Sequence, residues 1–281
     1  VVGNVVAGGA GKTPVVAALV EHLAAAGLQP GVISRGWGRR GHDLREVHPD
    51  ADPADVGDEP LLVARRCGVP VFVAPRRADA GRALLARHPG TRVLVSDDGL
   101  QHLSLARDLE LCVFDARGPG NGWLLPAGPL REPWPRPVDL VLRPPGAQPA
   151  DGFDLVRRLA PRAVRADGQT RPLAEFASEP RVVARAGIAN PQAVFGRLRA
   201  AGLRLDDAIA LPDHHGFEAG LPPQAAGGCI VCTEKDAVKL WRIHPQAWAV
   251  PLMLDIEPAF WEAFDRRLHA GLSSPDGFQT A

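Results

Sequence analysis

Short apolar runs alternate with segments of helical periodicity through the first half of the chain. The apolar runs are continuous, which is typical of strands buried on both faces of a sheet, and they cover Val1–Val6, Gly31–Ser34, Val71–Ala74, Arg92–Ser96, Leu109–Phe114 and Val138–Leu142. Helical spacing falls between them, at Thr13–Ala26, Glu59–Arg66 and Asp79–His88. This alternation predicts an α/β fold with a parallel sheet, right-handed crossovers and helices on both faces.

A second, shorter α/β run follows a proline- and glycine-rich stretch at 143–152, which we expect to be a linker. Its strands are predicted at 181–187, 229–232 and 250–256, and its helices at 191–201 and 262–269. We therefore divide the chain into a first lobe at 1–145, a smaller α/β lobe at 146–258, and a C-terminal helix and tail at 259–281. Substrates usually bind in the cleft between two such lobes.

Composition narrows the class of protein. The 281 residues carry 32 lysine and arginine residues against 32 aspartate and glutamate residues, so the basic surplus of a nucleic-acid-binding protein is absent and no nucleic-acid partner is expected. Cys229 and Cys232 form a CxxC, but Ile230 and Val231 between them indicate a buried strand rather than a zinc or redox site. The chain begins with Val1 inside an apparent strand, so we expect an N-terminal piece, with any anchor helix, to be missing.

The sequence GGAGKT, at 8–13, lies between the first apolar run and the first helix. Glycines there let backbone N–H groups surround a phosphate, while Lys12 reaches the outer phosphate oxygens and Thr13 can ligate Mg²⁺. The full P-loop pattern has glycine where this chain has Val6, but the core of the motif is intact. The predicted nucleotide-binding residues are Gly8, Gly9, Ala10, Gly11, Lys12 and Thr13.

A phosphate-binding loop alone leaves several classes of protein open. Partitioning-type ATPase switches carry an additional lysine in this loop, and this chain has Ala7 at that position, which counts against that class. GTPases bind guanine through an NKxD motif. The sequence TEKD at 233–236 resembles it only weakly, so a GTPase is not favoured. A phosphotransferase is the class we favour, with a partitioning-type ATPase switch or a kinase of a soluble sugar as the alternatives.

Acidic and histidine side chains occur where a phosphotransferase needs them. Asp97 and Asp98 end a buried strand, the location of a Walker-B metal ligand. Asp58 and Glu59 stand at a predicted helix start, and 211–217 (LPDHHGF) presents two adjacent histidines. Histidine is suited to taking a proton from an alcohol near neutral pH. Arginines at 76, 77 and 131 can pair with a substrate phosphate through their forked donors.

Eight motifs in series resemble the tetraacyldisaccharide 4'-kinase family, the lipid A 4'-kinases. They span nearly the whole chain and are GNVVAGGAGKTP (3–14), SRGWGRR (34–40), VGDEPLLVA (56–64), VSDDGLQH (95–102), GNGWLLPAGPLREP (120–133), ARAGIANP (184–191), PDHHGF (212–217) and TEKDAVKL (233–240). Each motif is weak by itself, but their shared order is specific.

The resemblance implies a P-loop kinase with two α/β lobes that uses ATP and Mg²⁺. It implies transfer of the γ-phosphate to the 4'-hydroxyl of an acylated glucosamine disaccharide 1-phosphate, which gives lipid IVA. It also implies work at the cytoplasmic face of the inner membrane, through peripheral contact or a missing N-terminal helix. We infer no obligate protein partner.

The resemblance also assigns roles to residues. Asp58 is implied to pair with a histidine of the PDHH motif as the base that activates the sugar hydroxyl, and we choose His214, which the sequence alone does not separate from His215. The implied catalytic residues are Asp58, His214 and Lys12. The implied metal ligands are Thr13, Glu59, Asp97 and Asp98. The implied substrate-binding residues are Arg76, Arg77, Gln101, His102, Arg131 and His215.

Overall fold

The first lobe is built on two sheets that share one apolar core. The computed structural model describes residues 1–217 and 228–272. One sheet has the order β3–β4–β2–β5, formed by β2 (Pro30–Ser34), β3 (Arg45–Glu46), β4 (Val71–Val73) and β5 (Val93–Ser96). The other has the order β1–β6–β7–β8–β15, formed by β1 (Val2–Gly3), β6 (Leu111–Val113), β7 (Leu140–Arg143), β8 (Phe153–Leu159) and β15 (Leu252–Ile256).

The second lobe has a single six-stranded sheet with the order β10–β9–β14–β13–β11–β12. Its strands are β9 (Arg162–Val164), β10 (Thr170–Pro172), β11 (Val182–Ala186), β12 (Asp207–Ala210), β13 (Cys229–Thr233) and β14 (Trp248–Val250). The pairs among β11, β12, β13 and β14 are parallel, whereas β9 and β10 form an antiparallel hairpin at one edge.

Helices cover both faces of the four-stranded sheet, as the sequence pattern predicts. The helices among the described residues are α1 (Lys12–Ala25), α2 (Pro53–Val56), α3 (Asp58–Cys67), α4 (Arg77–Arg87), α5 (Pro191–Ala200), α6 (Glu234–Leu240) and α7 (Pro258–Leu272), with a 3₁₀ turn at Leu173–Ser178. Val32 and Val71 face the core formed with α1 and α3, whereas Ile33 and Phe72, the next residues along each strand, face α4. Successive side chains of a strand point to opposite faces, so both faces of these strands are buried.

Two predicted strands are shorter than the apolar runs suggest. The run Val1–Val6 forms β1 only at Val2–Gly3, because the buried Asn4 side chain donates a hydrogen bond to the Val6 carbonyl and the chain turns into the glycine loop. The run at 250–256 is divided between β14 and β15 at Pro251, since proline has no N–H to continue the ladder.

Strand pairing moves the predicted lobe boundary. β8 pairs with β7, and β15 pairs with β8 from Leu252↔Leu159 to Ile256↔Leu155. Both strands therefore belong to the first sheet system, although the predicted division assigned them to the second lobe. The stretch at 143–152 is accordingly a connection within one sheet rather than a linker between lobes.

The chain passes between the lobes at two neighbouring points. β8 in the first lobe leads after two residues into β9 of the second, and β14 leads through Pro251 into β15. The helix α7 then packs Phe260 and Phe264 into the core of the first lobe, so the predicted third part is an integral piece of that lobe. Residues 273–281 of the predicted tail lie outside the described residues.

The CxxC is a buried strand, as predicted. Cys229 and Cys232 are free thiols on β13, and burial raises the pKa of the Cys232 thiol well above its ordinary value. A thiol held in its neutral form is a poor metal ligand and a poor nucleophile.

Candidate active site

The glycine loop joins β1 to α1, and two of its residues require a left-handed backbone. Gly8 and Gly11 have φ of 97° and 71°, a conformation that costs residues with a Cβ roughly 1–2 kcal/mol. Gly11 immediately precedes α1, whose first turn has no side-chain cap. The free N–H groups of that turn and the helix dipole therefore favour an anion at the loop.

Lys12 extends from the loop toward the carboxyl end of β5. Its Nζ lies 3.1 Å from Asn4 Oδ1 and 3.3 Å from Asp98 Oδ1. Asp98 has a φ of 49°, unusual for a residue with a Cβ, and this backbone turns its carboxylate toward the lysine. Lysine and acidic residues thus meet where the sequence predicts a triphosphate and its metal.

Asp97 is a buried carboxyl with an unsatisfied oxygen. Its Oδ1 has no hydrogen-bond partner among the described residues. Burial, with the nearby Glu59 carboxylate, raises the pKa of Asp97 to about 7, against the opposing effect of Lys12. A buried oxygen without a donor is what a cation would satisfy, so the residues fit Mg²⁺. Residues 1–217 and 228–272 contain no cluster of three or more His, Cys, Asp or Glu suited to a metal, and Mg²⁺ at a P-loop takes its remaining ligands from phosphates and water.

Asp58 and His214 meet across the cleft between the lobes. Asp58 is the first residue of α3 in the first lobe, and His214 lies in the loop after β12 of the second lobe. His214 Nδ1 is 3.3 Å from Asp58 Oδ2. Burial raises the pKa of the Asp58 carboxyl, but hydrogen bonds from His214 and Lys239 outweigh it and hold this pKa below its ordinary value. The predicted pair is therefore close enough to act as one unit, although its catalytic role stays a prediction.

Two lysines of α6 complete this cluster, and the sequence analysis did not assign them to the site. Lys239 Nζ lies 2.7 Å from Asp58 Oδ2. Lys235 Nζ lies 3.2 Å from Glu59 Oε1 and 3.2 Å from His214 Nε2. The available signal was the placement of TEKDAVKL directly after an apolar strand, which is the end of a parallel sheet where ligands bind.

The predicted substrate-binding residues divide into two groups. Arg77 donates to the Asp98 carbonyl at 3.1 Å, and Arg131 Nη1 lies 3.5 Å from the Asp98 carboxylate. Gln101 donates to the Asn4 carbonyl at 3.0 Å. These three side chains therefore gather at the end of β5, beside the glycine loop.

The remaining three predicted substrate-binding residues, Arg76, His102 and His215, make other contacts. The Arg76 side chain is 79% exposed and pairs with Asp79 at 3.9 Å. The His215 ring packs edge-on against Phe217, with 4.8 Å between ring centroids. Burial, followed by nearby arginines, lowers the pKa of His102. For Arg76 and His215 the structure shows contacts with their own neighbours rather than with the phosphate loop.

Two further arginines contact the glycine loop, and the sequence analysis missed both. Arg117 donates to the Ala7 carbonyl at 3.3 Å, and Arg157 of β8 donates to the Ala10 carbonyl at 2.7 Å. Burial lowers the pKa of Arg157. Neither arginine lies within a recognisable motif, so their approach to the loop follows from the tertiary structure alone.

A cavity of about 310 Å³ opens beside the Asp58–His214 pair. Its walls come from both lobes, and they include Trp37, Pro53, Asp58, His214, Phe217 and Lys239. A pocket with an apolar wall and a few convergent charged groups is typical of a binding site for a small organic substrate. A sugar hydroxyl that enters it would meet the histidine directly.

The fold and the loop define a P-loop NTPase-type α/β protein, which confirms the predicted fold class. The chain belongs to the LpxK family, described as tetraacyldisaccharide-1-P 4'-kinase, whose profile it matches over residues 1–269. The predicted family is thereby confirmed.

Individual relatives agree with this family. The tetraacyldisaccharide 4'-kinase of Acidovorax sp. (strain JS42) is 61% identical over 277 residues, which cover 98% of this chain and 81% of the relative. The enzyme of the same name from Delftia acidovorans is 56% identical over 273 residues, covering 96% and 80%. A crystal structure of LpxK from Aquifex aeolicus in complex with ATP matches with a TM-score of 0.80 at 25% identity, covering 96% of this chain and 86% of that one.

Proposed function

We propose that this protein is an ATP-dependent kinase that transfers the γ-phosphate to the 4'-hydroxyl of an acylated glucosamine disaccharide 1-phosphate, giving lipid IVA. Membership of the LpxK family supports the reaction. The observation that carries the mechanism is the approach of Asp58 and His214 from two lobes, 3.3 Å apart, beside a cavity lined by residues of both lobes.

ATP is the phosphate donor in this proposal, held by residues 8–13. Backbone N–H groups of the loop and of the first turn of α1 bind the phosphates, and Lys12 exchanges its contact with Asp98 for a phosphate oxygen. Thr13, Asp97 and Asp98 are the residues that would hold Mg²⁺, which neutralises phosphate charge when bound. Glu59, the fourth predicted ligand, pairs with Lys235, so its contribution is to the charge balance around the metal rather than to direct ligation.

His214 takes the proton of the acceptor hydroxyl as its oxygen attacks phosphorus. Since a lysine ammonium donates only, the contact of Lys235 with Nε2 identifies that nitrogen as the acceptor, and the proton on Nδ1 is then donated to Asp58. Asp58 holds the ring in this tautomer and stabilises the imidazolium that forms. Water at the γ-phosphate would receive the phosphoryl group instead, so the proposal requires the two lobes to exclude it during transfer.

We further propose that the protein works at the cytoplasmic face of the inner membrane. The acceptor carries acyl chains, and large apolar side chains stand exposed near the candidate site: Leu103 is 80% exposed, Trp123 64% and Leu125 55%. Leu103 follows His102, and Leu125 donates its N–H to the carbonyl of Leu130, the residue before Arg131. No helix among residues 1–217 and 228–272 has the length and apolar content to cross a bilayer.

The direct test supplies labelled ATP together with the acylated disaccharide 1-phosphate. We expect label in the lipid product with the intact protein, and none with Lys12→Met. Label released only as inorganic phosphate would favour a partitioning-type ATPase switch, and label on an unacylated sugar would favour a kinase of soluble sugars. Flotation with anionic vesicles tests membrane contact, which a Leu103→Ser/Trp123→Ser double variant should weaken without loss of ATP binding.

A further inference from the structure

The lysines of this chain are few and are gathered in one place. Three of its 32 lysine and arginine residues are lysine, and all three lie in the candidate site. Their side chains are 12%, 18% and 10% exposed, at Lys12, Lys235 and Lys239. Elsewhere the chain uses arginine as its cation. The ammonium group is a compact charge with three rotatable donors, whereas the guanidinium is a broad planar fork, so these three positions are where a compact donor is needed.

Lys12 binds phosphate in the mechanism above, and Lys239 pairs with Asp58, the partner of the base. Lys235 has no step of its own in that mechanism. It follows Glu234 at the start of α6, and its ammonium lies at the meeting point of both lobes. Its Nζ is 3.2 Å from Glu59 Oε1, 3.2 Å from Asp213 Oδ1 and 3.2 Å from His214 Nε2. The two carboxylates balance the charge of the Lys235 ammonium.

The contact between Lys235 Nζ and His214 Nε2 places the ammonium at the atom where the proton is transferred. His214 Nε2 is the ring nitrogen that carries no proton, and it is therefore the atom that takes the proton of the acceptor hydroxyl. In the structure without substrates, the lone pair of this nitrogen accepts from Lys235. An incoming hydroxyl must replace the ammonium at Nε2, yet the lysine is anchored in α6 and can retreat only by the reach of its side chain. The ammonium then lies beside the oxygen that attacks.

We propose that Lys235 is a further catalytic residue, whose ammonium moves from His214 Nε2 to a non-bridging oxygen of the γ-phosphate during transfer. This inference rests on the proposed function. The acceptor oxygen forms a bond to the γ-phosphorus while the bond from that phosphorus to the β,γ-bridging oxygen breaks, and ADP leaves. The hydroxyl proton goes to His214 Nε2. Lys235 keeps its own protons throughout and donates a hydrogen bond to the transferring group, where negative charge is spread over the equatorial oxygens.

A structural role is the competing explanation, since Lys235 joins α6 to α3 through Glu59. The chain offers a matched control for it. Arg66 of α3 pairs with Glu234 of α6 at 3.3 Å, which links the same two helices one residue away and outside the site. If Lys235 were only a brace between the helices, removal of either link would have a comparable effect.

The experiment compares Lys235→Met, Lys235→Arg and Arg66→Met with the unchanged protein. Phosphate transfer to the acylated disaccharide gives kcat and KM, calorimetry gives the Kd for ATP, and melting curves report folding. We expect Lys235→Met to lower kcat about 10²–10³-fold, the usual loss for one donor to a charged transition state, with the Kd for ATP nearly unchanged. Lys235→Arg should recover only a minor part of kcat, because its planar fork does not fit between three close partners. Arg66→Met should keep kcat within a small factor.

Each result decides the matter. A Lys235→Met protein with nearly unchanged kcat overturns the proposal, and so does an equal loss in Arg66→Met. If Lys235→Met melts too early to be assayed, the comparison passes to Lys235→Arg, where full activity would contradict the proposal. The unchanged protein reports separately on the proposed function: if it binds ATP but transfers nothing to the lipid acceptor, that function fails first.

Discussion

Replacement of Asp58 and His214, singly and together, tests whether they form one functional unit. Their side chains are 10% and 28% exposed, and Nδ1 lies 3.3 Å from Oδ2. General-base assistance is commonly worth about 10²–10⁴-fold, and we expect His214→Ala to lose kcat within that range. Asp58→Ala should lose a similar amount, because without the carboxylate the ring is free to adopt the tautomer that has no lone pair on Nε2.

The double variant shows whether the two side chains serve the same step. If both residues serve one proton transfer, removing the second costs little once the first is gone, so the double variant should be within about tenfold of the weaker single variant. The assay is the initial rate of lipid phosphorylation at saturating ATP and acceptor. Losses that multiply would refute the coupled pair.

Two controls are needed to interpret this comparison of single and double variants. His215→Ala replaces the neighbouring histidine, whose ring packs against Phe217, and we expect a much smaller loss than for His214→Ala. Asp58→Ala also leaves Lys239 without its carboxylate partner, so melting curves must accompany the rates. A His215→Ala protein as inactive as His214→Ala would contradict the assignment of the base.

Two further predictions concern nucleotide binding and stability. Arg157→Gln should weaken ATP binding several-fold by calorimetry, because it removes the donor to the Ala10 carbonyl. The control is Arg158→Gln, on the same strand but with a side chain 68% exposed, which should leave the Kd for ATP unchanged. Equal effects of the two variants on ATP binding would contradict a role of Arg157 at the loop. Burial raises the pKa of Glu110, but hydrogen bonds from Arg107 and Arg136 outweigh it and lower this pKa. That contribution is fully present above the unfolded pKa of about 4.3 and is lost as pH falls through the lower folded value. Glu110→Gln should therefore lower Tm more at pH 7 than at pH 3, and an equal Tm difference at both would contradict it.

The glycine loop is the part of the site that the sequence predicts most fully. Its geometry is local: a buried strand, glycines with positive φ at Gly8 and Gly11, and a helix that begins at Lys12. The pairing of Asp58 with His214 spans 156 residues, and no periodicity reports such a contact. Only the resemblance to a family predicted the pairing of Asp58 with His214 from the sequence.

Other features depend on tertiary packing and were missed. β8 and β15 have apolar patterns that suit either sheet, so pattern alone could not assign them to the first lobe. Lys235 and Lys239 lie four residues apart on α6, one turn of the helix, which predicts a shared face but not which lobe that face meets. Arg157 reaches the loop only because β8 runs beside it. In each case the missing information is which surfaces meet, and that is fixed by the whole core rather than by neighbouring residues.

The most direct measurement of the central claim is a crystal structure with a non-hydrolysable ATP analogue, Mg²⁺ and the acylated disaccharide 1-phosphate. The account predicts the triphosphate on residues 8–13, the 4'-hydroxyl in hydrogen-bond contact with His214 Nε2, and its oxygen about 3–3.5 Å from the γ-phosphorus. A nucleotide bound away from that loop, or an acceptor hydroxyl on the far side of the molecule from His214, would contradict it.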